Sequence, residues 1–109
     1  MDIRFLYVTV GTREEAELIG RQLVEERIAA CVNLLGPMQS YYWWKNQVQS
    51  DQETVLIAKT TQDKVPLATK RIRELHSYSC PCVVALPVVD GNEDFLAWIR
   101  SETQSPQGT

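Results

Sequence analysis

A single histidine occurs in 109 residues, and neither a nucleophile–base arrangement nor a glycine-rich phosphate loop accompanies it, which argues against an enzyme. Three cysteines make an odd set and a poor disulfide framework, as expected of a reducing compartment. Basic residues are in deficit, with 11 Lys and Arg against 14 Asp and Glu, a net charge of −3. That balance excludes broad nucleic-acid binding and docking on an anionic membrane. No apolar run approaches the roughly 20 residues of a membrane span. The first residues, Met1-Asp2-Ile3-Arg4-Phe5, lack a basic leader region, so the expected location is the cytoplasm. What remains is an ordinary globular composition, 44% hydrophobic and 23% charged, expected to form one domain over 1–103 with a loose polar tail over 104–109.

The patterning predicts an α+β fold. Residues 3–10 are β-branched and aromatic, with Leu6, Val8 and Val10 facing one way and Ile3, Phe5 and Tyr7 the other. Gly11 breaks this strand, and Thr12-x-x-Glu15 reads as a capping box. Ala16, Ile19, Gly20, Leu23 and Val24 then form a helical stripe. A second strand over 30–35 is interrupted by Gly36-Pro37, which reads as a kink or bulge, and resumes over 38–45. After a tight turn at Lys45-Asn46-Gln47, a third strand runs over 48–60 and completes a long hairpin. Asp63 is the expected cap of a second helix whose buried stripe is Val65, Ala68, Ile72 and Leu75. A fourth strand over 83–89 carries Pro87, a sign of an edge, and Asn92 caps a short last helix.

The order βαββαβ plus a short helix is the ferredoxin-like arrangement, in which two helices cover only one face of the sheet. Strands one, three and four are nonetheless apolar on both faces. A monomer would expose more apolar area than the few hundred Å² usual for soluble monomers, so self-association is expected. Tyr41, Tyr42, Trp43 and Trp44 fit packing between subunits better than stacking on a nucleotide ring.

Several stretches taken together resemble the CutA divalent-cation-tolerance family: Ala29-Ala30-Cys31-Val32-Asn33, Tyr42-x-Trp44, Asp51-x-Glu53, Lys59-Thr60, His76-x-Tyr78, Pro81, Pro87, Gly91 and Trp98. The resemblance runs from about Phe5 to Trp98, nearly the whole chain. It implies a homotrimer similar in architecture to the PII signalling proteins, non-enzymatic, with long hairpins embracing neighbouring subunits. It also implies a response to metal ions such as copper, or alternatively a small anionic metabolite bound in clefts between subunits. Such a cleft would draw on Cys31, Lys59, Tyr78 and Trp98. This sequence departs from the family's usual His-Pro-Tyr-Glu-x-Pro-Glu: Ser77 replaces the proline, Ser79 the first glutamate and Cys82 the second. A carboxylate-based cation site therefore does not carry over.

His76, Cys80 and Cys82 are the one local cluster of soft ligands, suited to Cu(I) or Zn²⁺ but one ligand short of a closed tetrahedron. The competing explanation is a chance pair of small side chains at a strand start. No obligatory cofactor is expected. Asp51 and Glu53 alternate along one strand face, able to hold a hard cation or to pair with Lys45, although exposed hairpin charge is the commoner reason for such residues.

Overall fold

The computed structural model describes residues 3–104. Its elements are β1 (Ile3–Val10), α1 (Arg13–Glu25), β2 (Cys31–Trp44), β3 (Gln47–Thr61), a single 3-10 turn (Gln62–Lys64), α2 (Val65–Leu75), β4 (Val83–Val88) and α3 (Glu93–Glu102). The four strands form one antiparallel sheet in the order β2-β3-β1-β4. Pro87 therefore lies on an edge strand, where its missing N–H leaves no ladder bond broken on the outer side. The expected tail falls outside the described residues except for Gln104, whose N–H donates to the Ser101 carbonyl at 3.4 Å.

The core lies between α1, α2 and one sheet face. Leu6, Val8 and Val10 of β1 meet Leu56 and Ala58 of β3, and Ile19, Leu23, Ala68 and Ile72 of the helices close over them. Full burial of each such Leu, Ile or Val contributes about 1.5–3 kcal/mol. Val24 does not belong to this stripe; it is exposed, because a fifth apolar position widens the helix face beyond what the sheet can cover. Thr60, buried among these residues, donates its hydroxyl to the Ile28 carbonyl at 2.6 Å and so ties β3 to the end of α1.

Two caps differ from expectation. Thr12 Oγ1 accepts from Glu15 N as a capping box requires, yet the Glu15 carboxylate turns to Ser77 instead. Asp63 sits inside the 3-10 turn, and α2 begins at Val65 without a side-chain cap. Asn92, in contrast, caps α3 as read, accepting from Asp94 N at 3.0 Å.

Among the described residues the second sheet face is covered only at one end, by α3. There α3 is anchored by Arg27, whose Nη1 donates to the Glu102 carbonyl at 3.1 Å and to its Oε1 at 2.9 Å. Register places Phe5, Lys59, Cys31 and Leu86 on this face, then Tyr7, Ile57, Asn33 and Val84, then Thr9, Val55 and Leu35. Leu35, Val84 and Leu86 remain about half exposed.

The hairpin carries the interruption expected at Gly36-Pro37 as a bulge. Leu35 pairs with Val55 and Met38 with Glu53, so β2 uses one residue more than β3 between them. Since strand side chains alternate, that extra residue exchanges the faces of β2. Beyond it Met38, Ser40, Tyr42 and Trp44 share the face of Glu53 and Asp51, and Tyr41 and Trp43 take the other. Lys45 and Asn46 both adopt left-handed backbone at the tip, with φ of 51° and 63°, the geometry of a two-residue turn suited to the strand twist.

Candidate functional site

Where the hairpin leaves the sheet, its inner face and the segment after α2 enclose a cavity of about 480 Å³. Thr9, Ser40, Tyr41, Tyr42, Trp44, Glu53, Tyr78, Ser79, Cys80 and Cys82 line it. Glu53 is the hub. Its Oε1 accepts from Ser40 Oγ at 2.7 Å and its Oε2 from the Tyr78 hydroxyl at 3.0 Å. Two residues along the same strand face, the Asp51 carboxylate accepts from the Tyr42 hydroxyl. Burial first, and then the hydrogen bond to Glu53, push the Tyr78 phenol up to about 12. The hydrogen bond to Asp51 raises Tyr42 as well. Both phenols are thus held neutral as donors. No Lys or Arg lines the cavity among the described residues, so its fixed charge is negative.

Tyr78 is positioned by a latch that joins the segment after α2 to α1 and β1. His76, its side chain wholly buried, makes a ring nitrogen contact of 2.8 Å with the Thr9 carbonyl. A carbonyl can only accept, so Nε2 carries the proton and donates. Its Nδ1 accepts from the Tyr78 amide at 3.1 Å, with Glu15 Oε2 3.5 Å from the same nitrogen. Glu15 Oε2 accepts from Ser77 N at 2.6 Å, and Oε1 from Ser77 Oγ at 2.9 Å. A proline at position 77 would have no N–H to give, so the departure noted in the sequence is matched by a contact of its own. The Tyr78 ring then lies against Gly11, where an added Cβ would meet the hydroxyl at 3.1 Å. Gly11 ends β1, as its composition suggested, and also leaves room for Tyr78.

The residues singled out from sequence separate into two places. Cys80 and Cys82 are free, exposed and share the cavity with Tyr78. His76 commits both ring nitrogens to backbone partners and has no lone pair for a metal. Among the described residues no group of three or more His, Cys, Asp and Glu is arranged to hold a metal ion. The two thiols remain free, whereas His76 is not available to complete a set with them. Cys31, Lys59 and Trp98 lie at the opposite end of the sheet. Cys31 pairs with Lys59 in register, and the Lys59 ammonium sits 5.4 Å from the Phe5 ring and 5.3 Å from the Phe95 ring. Trp98 stacks on Phe95 with centroids 5.6 Å apart. Phe5 and Thr9 are four residues apart on β1, about 13 Å at the usual strand rise, so one chain does not bring Tyr78 together with these three.

The pairing of Asp51 or Glu53 with Lys45 is replaced by the hydroxyl contacts above. Sequence reasoning missed Glu15, Ser40 and Gly11, whose partners lie far off in the chain. A signal existed for Glu15 alone: a capping-box carboxylate facing a loop that has lost its proline.

Comparison with known proteins places this arrangement. Residues 4–102 match the model of the CutA1 divalent ion tolerance protein family. The divalent-cation tolerance protein CutA of Thermus thermophilus is 44% identical over 96 residues, covering 88% of this chain and 93% of that protein. The crystal structure of CutA from Xylella fastidiosa superposes with a TM-score of 0.93 at 36% identity, covering 95% of this chain and all of that one. The structure of the periplasmic divalent cation tolerance protein CutA from Archaeoglobus fulgidus gives a TM-score of 0.91 at 35% identity, over 94% and 99% of the two chains.

Proposed function

This chain belongs to the CutA1 divalent ion tolerance family, and from that premise we propose that it is a non-enzymatic cation-binding homotrimer acting in tolerance of metal ions such as copper, in the cytoplasm. The carrying observation is the cavity beside the hairpin, whose fixed charge is negative and whose free ligands are thiols. Cations enter such a site favourably, whereas a small anionic metabolite would meet Glu53 and Asp51. The one imidazole is occupied by backbone partners, which supports binding over proton-transfer chemistry. The β2-β3-β1-β4 order, with α1 and α2 on one face, supports a ferredoxin-like topology. Half-exposed Leu35, Val84 and Leu86 on the second face, with Tyr42 and Trp44 beyond them, support its burial against copies of the same chain.

Two measurements test this reading. Sedimentation equilibrium is expected to give three times the 12.4 kDa chain mass at micromolar concentration, and a monomer mass would overturn the trimer. Calorimetric titration with Zn²⁺ and Cu²⁺ is expected to show weak binding that Mg²⁺ does not reproduce. Absence of heat with every ion would overturn the cation reading.

A further inference from the structure

We propose that Cys80 and Cys82 form a two-thiolate site selective for monovalent copper, an inference that rests on the cation-binding reading and specifies its ligand set. The two cysteines lie on a four-residue bridge, Ser79-Cys80-Pro81-Cys82, whose ends are fixed independently. Tyr78 is held at one end by Glu53 and His76. Val83 is held at the other by its pairing with Val8 on β1. Pro81 fixes one backbone angle between the thiols and so lowers the entropy lost when both engage one ion. Both side chains are exposed, unpaired and on the wall of the same cavity.

The neighbouring groups decide which ion fits. Zn²⁺ completes a tetrahedron with four ligands. Here both ring nitrogens of His76 are engaged, and Glu53, whose oxygens each accept from a hydroxyl, is a hard oxygen donor that suits a soft ion poorly. Two thiolates remain, and soft thiolate sulfur selects Cu(I), an ion that is satisfied by two ligands. On binding, two S–H protons are released to solvent as two S–Cu bonds form. Copper stays in the +1 state and no electron is transferred. The bis-thiolate complex carries one net negative charge. An adjoining groove, lined by Lys70 and Arg73 and by one carboxylate, Glu74, together with Ser79 and Pro81, supplies a net positive charge beside it.

The test is anaerobic competition for Cu(I) between the purified full chain and a chromogenic Cu(I) chelator, with the thiolate-to-copper absorption in the ultraviolet as a second readout. Wild type and Cys31→Ser are expected to take up one Cu(I) per chain. Cys80→Ser and Cys82→Ser are each expected to weaken binding by more than about 100-fold, since loss of even an outer partner typically costs 10–100-fold. Their double variant should lose the absorption altogether. Circular dichroism and hydrodynamic size of each variant establish that it folds, and Cys80→Ala with Cys82→Ala serves if the serine pair does not. Retention of Cu(I) by a folded double variant would overturn the site while leaving Zn²⁺ and Cu²⁺ binding to stand on its own titration. One Cu(I) per three chains would also overturn it, because the pair would then not act within one chain. Failure of the wild type to take up any cation, Cu(I) included, would overturn both readings.

Discussion

Gly20 faces β2 from the middle of α1, and a methyl group there would stand 2.9 Å from Val32 Cγ1, with Val32 Cβ at 3.6 Å and Leu56 Cδ1 at 3.7 Å. Two effects oppose each other in Gly20→Ala. Removing a helix-interior glycine stabilises by about 0.8–1 kcal/mol. Forcing a methyl into a filled space costs about 1–3 kcal/mol. Val32 cannot turn its Cγ1 away easily, because a β-branched side chain on a strand has few χ1 alternatives. The clash therefore prevails, and Gly20→Ala is expected to destabilise by up to about 2 kcal/mol. Val32→Ala alone loses part of a half-buried valine, about 1 kcal/mol. In the double variant the new methyl occupies the space that the valine vacates. The two changes should then couple favourably by about 1–2 kcal/mol. Urea denaturation of the four proteins at one chain concentration measures this cycle. Additivity within about 0.3 kcal/mol would refute the reasoning, since it would mean that the two side chains do not share space.

Two further outcomes follow from a buried hydroxyl and a hydrogen-bonded phenol. Thr60→Val removes the 2.6 Å bond to the Ile28 carbonyl inside the core and should cost about 1–3 kcal/mol, most of it recovered by Thr60→Ser; a Val variant as stable as wild type would show that the bond adds nothing. Tyr78 ionises at about 12 in the folded chain against an ordinary value of 10, so between these pH values the unfolded chain binds fewer protons and stability falls as pH rises. Near-ultraviolet titration should show late phenols, one of which Tyr78→Phe deletes and Glu53→Gln shifts downward; an unmoved transition in the Gln variant would remove Glu53 as a cause.

What sequence could and could not anticipate follows from the range of the contacts. Alternation along β1 and β3 assigned Leu6, Val8, Val10, Leu56 and Ala58 to one face and Phe5, Tyr7 and Ile57 to the other, because a strand's period is local. The α1 stripe was equally legible, except that periodicity cannot say how wide a face the sheet will cover, and Val24 fell outside it. The site was only partly legible. Cys80 and Cys82 were visible as neighbours in sequence. The engagement of His76 with Thr9, 67 residues away, was not. Nor was the bond from Tyr78 to Glu53, 25 residues back. Such bonds depend on how the segment after α2 is laid across the end of β1, which no local pattern encodes.

The length of the hairpin has a consequence in time. β2 and β3 hold 14 and 15 residues, whereas β1 pairs with β3 only from Thr54 to Thr61, so the outer ladder from Met38 to Glu53 has no third strand beside it among the described residues. Two isolated strands in water are marginally stable. Amide hydrogens near the tip would therefore exchange through frequent local fraying in a lone chain, while those of Val55 to Thr60 wait for global opening. Docking of a neighbour on the tip, as in the proposed trimer, would slow the outer amides toward the inner rate, and the gradient of exchange along this single hairpin would then be a clock for how long each copy stays bound.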